Sequence, residues 1–238
     1  MRKIDTNIWV HETEFKLFGA EFGNRMTVLL LRDGTLLIHS PVKIEEELVK
    51  EVMKIGNVSY IVTPNNFHGL FAEDWISKFP EAVHYTAKED DLEKGNGRSL
   101  SELNSVVSEE EIKLIKIEGV PKVNEYAIFH KASGTLILTD MAFNIGPYVP
   151  IWTKIFFKLN GALDSFGPTR LMKSMITDPE ELCVSMSEIL TLDFHRVIVS
   201  HGRILDIDAK ENLRDSFSQF YSVKSKRSAG RLSPSRCG

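Results

Sequence analysis

Tyr60-Ile-Val-Thr-Pro-Asn-Asn-Phe-His-Gly-Leu70 is the stretch on which the fold of this chain turns. The apolar run from Val58 to Val62 reads as a buried strand. Pro64 stops it, because proline lacks the N–H that a central ladder needs. A polar loop comes next, with Asn65, Asn66 and His68. A helix is expected from about Ala72, with Trp75, Ile76 and Phe79 on one face and Pro80 just past its end. A strand, a polar loop and a helix in that order place the loop at the carboxyl end of the strand, where α/β proteins bind ligands.

Working outward toward the N-terminus, Met26–Leu31 and Thr35–Ile38 read as strands joined at Asp33-Gly34, a dipeptide suited to a tight hairpin turn. Before them, short alternating runs from Ile4 predict antiparallel strands, with Trp9, Val10, Phe15 and Phe18 supplying core. Ile44, Leu48, Val49, Val52 and Ile55 fall at helical spacing. On the C-terminal side, Ala82–Tyr85 is a short strand and 88–110, rich in charge and small polar residues, an exposed loop. Strands resume at Ile112–Ile117, Tyr126–His130 and Thr135–Thr139. Tyr148–Ile176, interrupted by Gly161, Gly167 and Pro168, predicts short helices. Asp178-Pro179-Glu180 starts a helix with an acceptor at the N-cap and proline at the first helical position. Val197–Ser200 is another buried strand, and Leu213, Phe217 and Phe220 mark a last helix.

The chain has 238 residues, 42% of them hydrophobic, which is ordinary for one core-burying domain. We expect that domain over 1–222, with a helical cap at about 146–176 and a disordered, Ser- and Gly-rich tail over 223–238. A net charge of -4 and a pI near 6.0 argue against a nucleic-acid partner. Cys183 and Cys237 show neither metal-type spacing nor a disulfide framework. The N-terminus lacks the apolar core of a signal peptide, and no run approaches a membrane span. A cytoplasmic protein is the expectation.

Three apolar strands run into polar residues that suit a metal: Tyr60–Val62 into His68 after a short loop, Leu136–Thr139 into Asp140, and Val197–Ser200 into His201. Two imidazoles and a carboxylate would hold zinc or ferrous iron and leave positions open for water and substrate. Each residue alone is equally what a turn or helix cap uses. His39, which ends the strand before Ser40-Pro41, divides evenly between lining a site and closing a turn. His130, His11, His84 and His195 read as structural.

Ile-Val-Thr63-Pro-Asn-Asn-Phe-His68-Gly69 is similar in register to the first metal motif of the metallo-β-lactamase superfamily, Thr-His-x-His-x-Asp-His, and Leu-Ile-Leu-Thr-Asp140 and Val-Ser-His201-Gly202 resemble its later motifs in the same order. With His39-Ser-Pro41 and Phe129-His130, the set resembles an uncharacterised branch of that superfamily. The resemblance implies an αββα sandwich, two mixed sheets packed together with helices outside, and a site at one edge. Carried over by position, Pro64 and Asn66 replace the first two histidines and Gly69 replaces the last. His68 takes the aspartate position, Asp140 the metal-bridging one and His201 that of the final histidine.

The expected site is therefore mononuclear, with one zinc or iron ion on His68, Asp140 and His201, metal-bound water as nucleophile, and His39, Asn65 and Asn66 beside the substrate. The expected activity is that of a metal-dependent hydrolase acting on a small molecule that the sequence does not specify. The competing expectation is a non-catalytic binding module, without metal, that uses the degenerate cleft for a small ligand or protein partner.

Overall fold

A strand apolar on both faces has to be covered on both, and the strands that run toward His68, Asp140 and His201 are of that kind. The computed structural model describes the backbone of residues 1–229 and the side chains of residues 1–220. In chain order its strands are β1 Arg2–Asp5, β2 Ile8–Thr13, β3 Lys16–Leu17, β4 Ala20–Glu21, β5 Asn24–Leu30, β6 Thr35–His39, β7 Asn57–Thr63, β8 Val83–Thr86, β9 Arg98–Ser99, β10 Ile112–Lys116, β11 Tyr126–His130, β12 Thr135–Ile137, β13 Phe143–Asn144, β14 Phe166–Gly167 and β15 Arg196–Ile198. The helices are α1 Glu46–Met53, α2 Ala72–Lys78, α3 Glu89–Glu93, α4 Ile151–Leu159, α5 Arg170–Ser174, α6 Pro179–Thr191 and α7 Ala209–Ala229.

One sheet has the order β1-β2-β5-β6-β7-β8-β9, antiparallel as far as β6 and parallel beyond it. The second has the order β10-β11-β12-β15, with only the last pair parallel. Between the sheets, Leu29, Leu37, Val62 and Tyr85 of the first pack with Ile112, Ile128, Ile137 and Ile198 of the second. On the outer face of the first sheet, Leu36, Ile38, Val58 and Ile61 meet Leu48 and Val52 of α1 and Trp75 of α2. On the outer face of the second, Leu136, Val197 and Val199 meet Leu182, Met186 and Ile189 of α6 and Leu213 and Phe217 of α7. Three apolar layers separate four structural ones, the αββα sandwich. Strand alternation assigns each face: in β6, Leu36 and Ile38 look outward and Leu37 inward.

The Asp33 turn and the Asp178 cap form as expected. The Asp33 carboxylate accepts the Thr35 N–H at 2.9 Å, and Asp178 Oδ1 accepts the N–H groups of Glu180 and Glu181 at 3.0 and 3.1 Å. Two expectations fail. The stretch 88–110 is not simply an exposed loop: it holds α3, adds β9 to the first sheet, and through a 3-10 turn at Leu100–Ser105 buries Leu100, Leu103 and Val107 between the sheets. Apolar residues spaced by three and four are hidden there among many charges. Phe18 is not core; it is 70% exposed, at the tip of the β3–β4 hairpin.

The stretch 146–176 contains α4 and α5. The backbone of α7 continues to Ala229, past residue 222, the expected end of the domain; the remainder of the expected tail, 230–238, lies outside the described residues. Among the described residues no helix is long and apolar enough to cross a membrane.

Candidate metal centre

His68 owes its position to the asparagine three residues before it. Asn65 Oδ1 accepts the N–H groups of Phe67 and His68, both at 2.9 Å, which turns the chain sharply after Pro64 and brings the imidazole back over the strand ends. The same loop is tied to the second sheet, because the Asn66 N–H donates to the Val123 carbonyl and the Tyr126 N–H to that of Pro64.

Asp140 is presented by the loop after β12. Glu125, wholly buried at the start of β11, accepts the N–H of Thr139 at 2.8 Å through one oxygen and those of Asp140 and Met141 at 2.8 and 3.1 Å through the other. The Asn65 amide donates to Asp140 Oδ2 at 2.8 Å, so one asparagine sets both the histidine and the aspartate.

His201 comes after β15. Its backbone is held by Arg25, whose buried guanidinium donates to the Val199 and Gly202 carbonyls and pairs with Glu12 at 3.0 Å. The ring stacks on Phe143, with centroids 5.0 Å apart, and meets Phe22 edge-on at 5.8 Å. Gly202 is required next: its φ is +96°, and a Cβ there would lie 2.2 Å from the Asn144 oxygen.

The three side chains converge. His68 Nε2 is 3.3 Å from Asp140 Oδ2, and His201 Nε2 is 3.3 Å from Oδ1. Among the described residues, this trio is the one group of three or more potential ligands, with one ligand atom from each lying within 4.8 Å of the others. His201 Nδ1 is 2.7 Å from the Gly23 carbonyl, which can only accept, so in the neutral ring Nε2 carries a lone pair aimed at a carboxylate oxygen. Something positive has to lie between them. Ligand bonds of about 2.0–2.1 Å in a tetrahedral zinc site separate neighbouring ligand atoms by about 3.3–3.4 Å. Each imidazole meets its own Asp140 oxygen at that separation, and one ligand atom from each residue lies within 4.8 Å of the others, so a small closure brings the three around one ion. The residues present therefore fit a divalent ion.

The electrostatics of the trio are coupled. Burial alone would push the Asp140 carboxyl up, but His68 and His201 overcome it and hold it well below the usual carboxylate range. Burial would likewise lower His68; Asp140, with a further contribution from Glu125, outweighs that and raises it. Glu125 is raised by burial and then by Asp140. His68 Nδ1 is 2.7 Å from Ser40 Oγ, which orients the ring from behind.

The expected substrate-side residues divide. Asn66 reaches the cavity above the trio. Asn65 is fully buried behind it, with its amide committed to Glu125, Thr139 and Asp140. His39 is 1% exposed and does not reach the cavity wall. Gly69 could not carry the missing histidine without movement, since its Cβ would stand 3.0 Å from Thr63 Cγ2. Glu125, Ser40 and Arg25 escape sequence reasoning. Only Arg25 leaves a signal, as a charge directly before the apolar run that begins at Met26.

A cavity of about 440 Å³ opens over the trio. Its walls are Phe15, Leu17, Phe18 and Phe22 from the β3–β4 hairpin and its flanks, Phe67, Leu70 and Phe71 from the loop before α2, and Phe143, Phe156, Leu171, Met172 and Met175 from the far side.

Comparison with solved structures places this architecture. A metallo-beta-lactamase from Pontibacter korlensis aligns with a TM-score of 0.58 at 11% identity, covering 91% of this chain and 97% of its own. The DIM-1 metallo-beta-lactamase exposed to ceftazidime aligns at 0.60 and 14%, covering 92% and 95%. The fold is that of the metallo-β-lactamases. TMB-1 aligns at 0.59 and 11%, covering 92% and 96%. By sequence, a domain of unknown function (DUF4336) matches residues 5–90, the part of the metallo-β-lactamase fold that runs from β1 through the His68 loop to α3. No curated protein matches by sequence.

Proposed function

We propose that this protein is a mononuclear metal-dependent hydrolase. The observation that carries the reading is the convergence of His68 and His201 on the two oxygens of Asp140, each at 3.3 Å, at the floor of a cavity large enough for a small molecule. His68, Asp140 and His201 would hold the ion, zinc or iron. A bound divalent ion supplies Lewis acidity and lowers the pKa of water to about 7, so that hydrolysis can proceed at neutral pH. The chain's own residues do the rest. Asn65 and Glu125 keep Asp140 aimed, Gly23 fixes the His201 tautomer, and Phe22 and Phe143 exclude bulk water from one side of the trio. Asn66 stands at the cavity edge, its amide tied back to the Lys122 carbonyl.

A single-ion site is favoured because Pro64, Asn66 and Gly69 provide no second set of ligands. Asn66 instead turns its amide toward the Lys122 carbonyl at 3.2 Å. The competing reading, a binding module without metal, draws on the raised pKa of His68: a proton on that ring can itself bridge to Asp140. Elemental analysis of protein purified without chelator or affinity metal separates the two. About one zinc or iron per chain is expected, lost in Asp140→Ala and in the volume-matched Asp140→Asn while circular dichroism stays native. Metal-free wild-type protein would favour the binding module.

A further inference from the structure

We infer that the cavity over the trio takes an uncharged, apolar acyl ester, bound by its hydrocarbon part. The reaction rests on the hydrolase reading; the ligand class stands on the walls alone. None of the lining residues is a lysine or arginine, and the one carboxylate, Asp140, is at the floor. A phosphoryl or carboxylate substrate would call for cationic or forked donors, and the walls provide none. Instead they present Phe18, Phe22, Phe67, Phe156, Leu171 and Met172, around a volume within the about 300–1,000 Å³ typical of small-molecule sites.

The rim is an independent observation. Phe18 is 70% exposed and has a φ of +52°, a left-handed conformation that a bulky aromatic adopts only under strain. It is nonetheless fixed in place: its carbonyl accepts the Trp152 Nε1–H at 3.0 Å and its ring stacks on Phe156 with centroids 6.4 Å apart. Phe67, at 49%, and Leu171, at 46%, complete an exposed apolar mouth, which marks a binding site more often than a chance surface. In the reaction water adds to the acyl carbon, the bond to the ester oxygen breaks, and the proton goes to the departing alcohol. The products are a carboxylic acid and an alcohol.

The test has two arms on the full chain as purified, with its metal content measured. In the first, the uncharged fluorophore N-phenyl-1-naphthylamine is titrated into wild type, Phe18→Asn and Leu171→Glu. Asparagine suits the left-handed turn, so the first variant removes the aromatic wall without burdening the fold. Saturable binding of about one probe per chain is expected, displaced by methyl decanoate but not by methyl acetate, and at least tenfold weaker in both variants. In the second arm, p-nitrophenyl esters from acetate to decanoate are assayed. A rise in kcat/KM of about fourfold per added methylene is expected until the cavity is filled. Probe binding without ester turnover keeps the apolar-ligand assignment, overturns the ester and leaves the hydrolase reading to stand on its metal. Turnover that ignores chain length, or probe binding that is absent or indifferent to both variants, overturns this inference and leaves the hydrolase reading to stand on its metal.

Discussion

His39 has neither ring nitrogen hydrogen-bonded, although it is almost completely buried next to the serine that supports His68. Burial first, and then the neighbouring His68, push its pKa down to about 3 from an ordinary 6.5. Because the folded value is the lower one, the unfolded chain takes up this proton first on acidification. The stability that His39 contributes is therefore complete above about pH 6.5 and is lost between there and pH 3. His130, lowered to about 4 mainly by burial, acts in the same direction, whereas the raised His68 acts in the opposite one. Urea denaturation of His39→Leu across pH 4–6.5 is expected to show a shallower loss of stability than wild type, by up to about 1.4 kcal/mol per pH unit. An unchanged slope would mean that His39 is already charged in the fold. From the sequence His39 can only be placed at a strand end; which way it faces, and that nothing polar meets it, depends on segments far away in the chain.

At the scale of elements, the sandwich depends on strand ends that deliver side chains to one edge, and Gly202 guards one of them. With φ at +96° and the Asn144 oxygen 2.2 Å from where a Cβ would stand, Gly202→Ala has to move either the turn or β13. We expect a loss of about 2–4 kcal/mol in chemical denaturation together with weakened metal retention, because His201 shifts with its neighbour. Loss of stability with full retention would separate the turn from the site. The strands around the His68 loop, the Asp33 turn and the Asp178 cap are legible because each is encoded locally, by a face pattern, a turn pair or a capping side chain. The stretch 88–110 is not, since Leu100, Leu103 and Val107 find their apolar partners only when two sheets close over them. Phe18 fails in the opposite sense: its composition reads as core, but the hairpin carries it to the rim of the cavity.

For the molecule as a whole, the proposed ion would join the first sheet, through His68, to the second, through Asp140 and His201. Anything that binds only the folded form stabilises it, by about 2.7 kcal/mol at a hundredfold excess over Kd. For a domain of this size that corresponds to a Tm lower by about 5–11 °C on chelation. Scanning fluorimetry with EDTA is expected to show that drop in wild type and none in Asp140→Ala. Equal drops in both would place the chelated ion elsewhere.

The amino-acid sequence by itself determined the buried strands around the His68 loop and the three strand ends carrying His68, Asp140 and His201, while the αββα layering followed from the family resemblance of those motifs. The strands and their ends are properties of short segments, written in periodicity and in the residues that stop it. Only the tertiary structure decided that Glu125 and Asn65 would cradle Asp140, that Arg25 would hold the His201 strand end, and that aromatic residues from three separated segments would enclose one apolar cavity. These features are made by side chains distant in sequence meeting across packed layers, and no local pattern encodes such a meeting.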